Sequence, residues 1–113
     1  MAAIANLTVD QGTSFTSDVT VKDANGNAFN LTGYTAVAKM AKGYSSTRTR
    51  TTITTTIAAD ATTGVVTLSL TSTVTAALDA ERYVYDLEIT QTSSGNVTRV
   101  IEGIISVRPQ VTT

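Results

Sequence analysis

The residues best suited to chemistry in this sequence carry side-chain oxygens, and the first cluster of them is DANGN at positions 23–27. It resembles the start of a calcium-binding loop, in which alternate side chains supply oxygen ligands to the ion. The glycine that such a loop requires is displaced, and Tyr34 stands where the bidentate glutamate belongs. Because an Asn-Gly pair also supplies the positive-φ positions of a tight hairpin, the stretch predicts a turn and no metal site.

A second cluster consists of carboxylates that could act as a general acid and base. Asp86 and Glu88 alternate along one predicted strand, and Glu102 is a candidate to lie opposite them. A working pair needs an apolar pocket to raise one pKa, or a histidine or nucleophile beside it. The chain has no histidine and no cysteine. We therefore predict a solvated sheet face with no catalytic residue, no cofactor and no small-molecule substrate, and a protein that is not an enzyme.

Composition argues against several classes of partner. The 113 residues carry a net charge of −1 and have a calculated pI of about 5.1, which gives no basic field for phosphate groups, so no nucleic-acid partner is expected. No apolar run approaches the ~20 residues that span a bilayer, and the N-terminus lacks a basic region followed by an apolar core. A single soluble domain over residues 1–113, with no membrane partner, is the expectation.

Apolar and polar residues alternate along most of the chain, which is the period of a β-strand. The clearest case is RYVYDLEIT, 82–90, in which the tyrosines, leucine and isoleucine point one way and the charged residues and Val84 the other. Similar runs begin near residues 15, 34, 65 and 97, with Gly-containing turns between several of them. Short strands at this spacing predict an all-β fold, an antiparallel sandwich of about seven strands. Gly103, inside the last run, marks a bulge or a close approach of another segment.

Two stretches depart from this simple alternation. STVTAALDA, 72–80, can be capped by Ser72 or Thr73 and places its apolar residues on one helical stripe, so it predicts one or two helical turns between two strands. TRTRTTITTTIAAD, 47–60, is rich in threonine and could be a strand or a linker. Since threonine suits a half-exposed sheet surface, and Ile53 and Ile57 share one face, we favour a strand with hydroxyls on its outer face.

One group of aliphatic side chains is predicted to lie on the solvent-facing side of the sheet. If the tyrosines of the clearest strand face the core, Val84 faces outward, and Val100 and Ile104 face outward beside it, joined by Val37. Such a group is a candidate docking patch. If the strand-pairing register shifted by one residue across Gly103, these side chains would no longer lie together on the outer face. A loop of the same domain could equally well cover them.

Two further features are candidates for contact with a partner. The loop KGYSSTR, 42–48, is predicted to be mobile, and the candidate contact residues in it and just after it, up to residue 50, are Tyr44, Arg48 and Arg50. The ends of the chain, MAAIANL and RPQVTT, are predicted to be extended arms that could pair with another chain.

Five stretches carry a resemblance that periodicity could not supply: LTVDQGTSF, VKDANGNAFNLTGYTAVAKM, DATTGVVTLSLT, AERYVYDLEIT and GNVTRVIEGIISVRPQVT. In this order they resemble small virion proteins of tailed phages, particularly of cyanobacterial myoviruses, and the immunoglobulin-like N-terminal domain of phage baseplate upper proteins. The match covers nearly the whole chain, and its motifs are turns and core positions. The glycine usual before the tyrosine strand is missing from residues 80–82, so the geometry of that turn is an open question.

This resemblance implies an immunoglobulin-like β-sandwich and a structural, non-enzymatic role in the virion. The expected protein is a small subunit, assembled into particles in the bacterial cytoplasm, that docks on neighbouring tail, neck or baseplate proteins. Its expected partners are other phage virion proteins or further copies of itself. Two alternatives stay open: a capsid decoration or cement protein on the phage head, and an adhesin-like module that binds host glycans through loops such as 42–48.

Overall fold

The computed structural model describes residues 3–45 and 48–112, which form an all-β sandwich. Its elements in chain order are β1 (Ala3–Ile4), β2 (Leu7–Asp10), β3 (Phe15–Thr20), β4 (Tyr34–Ala41), β5 (Thr51–Ile57), a 3-10 turn (Ala61–Thr63), β6 (Val65–Leu70), α1 (Ser72–Ala76), β7 (Arg82–Gln91) and β8 (Val97–Arg108). About seven strands were expected, and the described residues hold eight because the N-terminal strand is broken at Ala5 and Asn6.

The strands hydrogen-bond in the order β1-β8-β7-β4-β5-β6-β3, with β2 also on β8. β5 forms the corner of this curled sheet, because its first half pairs with β4 and its second half with β6. One layer therefore contains β8, β7 and β4, and the other contains β6 and β3, as in an immunoglobulin domain. The predicted sandwich is confirmed. At one edge the pairing is parallel rather than antiparallel, since β1 and β2 both run parallel to β8.

The core lies between the two layers and is built by the predicted alternation. The tyrosines, Leu87 and Ile89 of β7 are at most 5 % exposed. The threonine-rich stretch is a strand from Thr51, with Ile53 buried and Ile57 packed against the core, while the threonines between them face outward or lie half-buried. The prediction of a strand with a hydroxyl-rich outer face is thus confirmed, whereas Thr47 lies outside the described residues.

A short helix and a tyrosine connect the two layers ahead of β7. The predicted short helix is confirmed as α1, but its predicted cap is wrong. Thr71 caps it by accepting a hydrogen bond from the Val74 N–H, and Ser72 and Thr73 lie inside the helix. The Tyr83 hydroxyl accepts from the Asp79 N–H at 2.9 Å and lies 3.2 Å from the Asp79 carbonyl oxygen, to which it donates. This is the tyrosine corner of immunoglobulin-like domains. The turn at residues 80–82, where a glycine is usual, does not use a left-handed backbone conformation, because no described residue other than glycine has a positive φ.

The DANGN stretch forms the predicted turn, although Gly26 has the positive φ that the Asn-Gly pair predicts and Asn25 does not. One carboxylate oxygen of Asp23 accepts hydrogen bonds from the N–H groups of Asn25, at 2.9 Å, and Asn27, at 3.0 Å, and Gly26 has a φ of 81°. The oxygen that a calcium loop would offer to the ion therefore binds backbone donors of its own turn. Within the described ranges no group of three or more acidic, His or Cys side chains could hold a metal, and no helix there has the length and apolarity to cross a bilayer.

Ala5 and Asn6, the residues between β1 and β2, pack against Gly103, which is the predicted close-approach site. A Cβ added to Gly103 would lie 2.4 Å from the Ala5 carbonyl oxygen, to which the Tyr85 hydroxyl donates a hydrogen bond. The Ala5 N–H donates to the Glu102 carbonyl at 2.9 Å, and the Asn6 side chain accepts from β8. The expectation that MAAIANL is an extended arm available to another chain is therefore wrong for residues 3–7, because their backbone pairs with β8 of the same domain. Residues 1 and 2 lie outside the described ranges.

Alkaline pH is expected to destabilise the protein through Tyr85. Burial raises the pKa of its hydroxyl to about 12, whereas an unfolded chain exposes tyrosines with a pKa of about 10. Between about pH 10 and 12 the folded state keeps the hydroxyl proton and the unfolded state loses it. The free energy of unfolding is therefore fully present below about pH 10 and falls as the pH rises towards 12. Chemical denaturation should show a loss of about 1 kcal/mol by about pH 11. Tyr85→Phe should lessen this loss, and an equal slope in both proteins would contradict the assignment.

Candidate docking surface

The outer face of β8, β7 and β4 brings part of the predicted aliphatic patch together. Val84 on β7 pairs with Ile104 on β8 and with Ala41 on β4. Directly opposed residues have Cβ atoms about 4.5–5.5 Å apart. Val84 is half-buried, and Ile104 is 39 % exposed. We call Val84, Ile104 and the neighbouring Tyr44 the outer patch.

Val37 does not belong to the outer patch. It pairs with Glu88 and lies four residues along β4 from Ala41, a distance of about 13 Å at the rise of a strand. Lys39 and Asp86 face each other in the row between them. The expectation that Val37 joins Val84 is therefore wrong, because a charged row separates them.

Val100 is also absent from the outer patch, because a β-bulge turns it inward. Leu87 pairs with Ile101 and Glu88 pairs with Arg99, which leaves Val100 without a partner on β7. Its side chain packs against the core instead. The predicted outward placement of Val100 is wrong, because the pairing register shifts by one residue here and not at Gly103.

The carboxylates considered as an acid/base pair lie on the same outer face. Asp86 pairs with Glu102 on β8 and forms an ion pair with Arg99, in which Nε and Oδ2 are 3.2 Å apart. Glu88 lies opposite Arg99 in the next row. These groups form a mixed-charge band beside the outer patch, and such a band can set the register of a docked partner.

The loop at 42–50 is organised from within by Arg50. Its guanidinium donates to the carbonyl oxygens of Tyr44 at 3.1 Å, Ser45 at 2.9 Å and Arg48 at 3.2 Å. These contacts hold Tyr44, which is 65 % exposed, beside Val84, where the two residues and Arg50 line a small pocket. Arg50, proposed from the sequence as a contact residue, thus binds the loop itself, while residues 46 and 47 lie outside the described ranges.

Lys42 anchors the start of this loop to the segment between α1 and β7. Its ammonium contacts the Asp79 carboxylate and lies 2.8 Å from Glu81 Oε2. Because this ammonium donates hydrogen bonds to the carboxylates of Asp79 and Glu81, the pKa of Lys42 is raised above its usual value. Arg48 lies on this side, where it lines a cavity of about 390 Å³ with Leu78 among other residues. The structure therefore brings Tyr44 to the outer patch and leaves Arg48 away from it. Sequence reasoning missed Lys42, since its acidic partners are remote in the chain.

Removing the Arg50 guanidinium should loosen the loop at 42–50 without unfolding the domain. Arg50→Ala deletes donors to several loop carbonyls, so we expect amide hydrogen exchange at residues 43–45 to accelerate at least about tenfold. The stability of the domain should change by less than about 0.5 kcal/mol, because the site is exposed. Arg48→Ala is the matched control and should leave the exchange rates unchanged. Equal rates in Arg50→Ala and the parent protein would show that Arg50 does not organise the loop.

Comparison with known proteins places the fold beside that of a phage domain. No family model matches the sequence, and no curated protein matches it. The N-terminal domain of phage TP901-1 ORF48 is similar in structure, with a TM-score of 0.56 and 10 % identity over 92 % of this chain and 85 % of that chain. The NK cell receptor Nkp44 gives a TM-score of 0.49 at 17 % identity, covering 95 % and 98 % of the two chains. The Lin-41 filamin domain gives 0.44 at 19 % identity, covering 89 % and 82 %. The likeness to the phage domain concerns the fold alone, which is the β-sandwich described above.

Proposed function

We propose that this protein is a non-enzymatic structural subunit of a tailed-phage virion that docks on neighbouring tail, neck or baseplate proteins. The observation that carries the proposal is the likeness of fold to the phage TP901-1 ORF48 domain over 92 % of the chain. The sequence resemblance to virion proteins of tailed phages, particularly those of cyanobacterial myoviruses, and to the N-terminal domain of baseplate upper proteins supports the same role. The described side chains fit this role without any catalytic step.

The outer patch supports docking through its composition. Val84 and Ile104 form an apolar centre with Tyr44 beside it, and Asp86 and Arg99 form a charged rim. Protein interfaces combine such an apolar centre with a polar rim, and tyrosine is enriched in them. Covering the aliphatic side chains would contribute roughly 25 cal/mol per Å² of apolar surface. The patch is small, so many copies or a second contact would be needed for firm attachment.

Mass spectrometry of density-gradient-purified particles tests the proposal. Particles of the phage that encodes this chain should contain it in many copies, at a constant ratio to the other virion proteins across the gradient peak. Proteins of the host lysate that merely adhere should fall away with salt washing, and this chain should not. Particles that are infectious and free of this chain would overturn the proposal.

A further inference from the structure

The curled sheet leaves two edges facing each other across a gap. The sheet order starts at β1 and ends at β3, which pairs with β6 alone among the strands that the structure describes. A cavity of about 370 Å³ lies between these edges, lined on one side by Ala3, Ile4, Ala5 and Leu7 and on the other by residues 17–20. Its floor includes Val100 and Ile101. The gap therefore lies where one more strand would join the edges, and Ile4 beside it is 76 % exposed.

A second cavity, of about 330 Å³, continues this gap towards one end of the sandwich. The two cavities share Lys22 and Val100 in their linings. Phe29 and Tyr34 form one wall of the second cavity, with ring centroids 5.3 Å apart in an edge-to-face contact. We call the continuous depression the edge groove. The bulge that turns Val100 inward places that residue at the junction of its two parts.

The exposed side of β3 presents backbone groups to this groove. The Val21 N–H donates to the Gly64 carbonyl at 2.7 Å, on the side of β6. Because hydrogen-bonding direction alternates along an antiparallel strand, residues of the other parity direct their N–H and C=O groups away from β6. These residues are Thr16, Asp18 and Thr20. Such unpaired groups are a template for another strand.

We propose that the edge groove binds an extended strand of a neighbouring virion protein, which adds to the free edge of β3. This inference rests on the proposed function. Alternate side chains of the added strand would be apolar and enter the groove, and the others would face outward beside Asp18. Main-chain hydrogen bonds would supply affinity, and the groove would select the inward side chains. The six residues of β3 offer about 20 Å of edge, the length of an ordinary strand.

Charge favours a different protein over a second copy as the occupant. Two β3 strands paired edge to edge about a two-fold axis at mid-strand would bring their Asp18 carboxylates together, and like charges on paired strands destabilise the pairing. One oxygen of Asp18 accepts a hydrogen bond from the Thr67 hydroxyl at 2.6 Å, and the residue is exposed. A partner strand that places a lysine or arginine opposite Asp18 complements this charge. The occupant is therefore an extended segment with alternating apolar residues and at least one basic residue.

Hydrogen exchange in the free protein and in purified particles tests this proposal. In the free protein the amides of Thr16, Asp18 and Thr20 should exchange rapidly, and in particles they should exchange at least about tenfold more slowly. Particles that contain the chain but leave these amides unprotected would overturn strand addition and leave the proposed function standing. Particles without the chain would overturn both. Protection that appears in the free protein as its concentration rises would overturn the choice of a different protein, because it would identify a second copy.

A pair of lysine variants tests the same surface by incorporation. Ser17→Lys places a charge in the edge groove, which Ser17 lines, and should lower incorporation into particles at least about tenfold. Thr56→Lys is the matched control on the exposed face of β5 and should incorporate normally. Thermal melting of both free proteins shows whether they fold. Normal incorporation of a folded Ser17→Lys variant would overturn the proposal. If that variant does not fold, the hydrogen-exchange experiment on the unaltered chain tests the proposal instead.

Discussion

Gly103→Ala should lower the free energy of unfolding by about 1–3 kcal/mol, the usual range for forcing extra volume into a packed site. The added Cβ would lie 2.4 Å from the Ala5 carbonyl oxygen and 2.9 Å from its carbonyl carbon. These are backbone atoms, so the segment between β1 and β2 must move. That movement would weaken the hydrogen bond from the Tyr85 hydroxyl and the parallel pairing with β8. Urea denaturation measures the loss, and faster amide exchange at residues 3–7 locates it.

Gly43→Ala is the matched control for this prediction. Gly43 does not have a positive φ, and among the described residues a Cβ there would meet the Arg48 side chain alone, at 3.8 Å. Its stability should change by less than about 0.5 kcal/mol. If Gly103→Ala were as stable as Gly43→Ala, the N-terminal strand would not be held as the structure shows.

Ile104→Asp should reduce incorporation of the chain into particles at least about tenfold while the free domain stays folded. The side chain is 39 % exposed at the centre of the outer patch, so a carboxylate there remains hydrated in the free protein. Buried against a partner, the same carboxylate would lose its hydration without a counter-charge, which costs several kcal/mol. Quantitative mass spectrometry of particles measures incorporation, and thermal melting of the free variant checks the fold.

Val97→Asp is the control for the outer patch. Val97 is 58 % exposed on the same strand, at its other end, so the substitution adds the same charge to a similar surface outside the patch. It should incorporate like the parent chain. If both variants incorporated normally, the outer patch would have no part in docking. If both lost incorporation equally, their net charge would be the cause.

The sequence predicted the sandwich well because its core follows from local alternation. Tyr83, Leu87 and Ile105 are buried where period two places them, and Gly26 supplies the turn that Asn-Gly predicts. A β-bulge has no such local rule. The inward turn of Val100 depends on the relative lengths of β7 and β8 after pairing, and no glycine at that position signals it.

Long-range pairing explains what else the sequence left undetermined. The parallel addition of β1 and β2 to β8 joins residues about 98 positions apart, such as Ala3 and Ile101, without a turn motif between them. The ion pairs of Lys42 with Asp79 and Glu81 likewise depend on where a loop returns after folding. The edge groove was missed for the same reason, because it exists only once both ends of the curled sheet are in place.

A density map of the intact particle tests the central claim most directly. The account predicts a β-sandwich of this chain at a repeated position on the tail, neck or baseplate, with Val84 and Ile104 covered by another virion protein. It also predicts an added strand along β3. A map in which this chain is absent would contradict the proposed function. A map in which the chain is present with its outer patch and β3 edge both open to solvent would contradict the docking account.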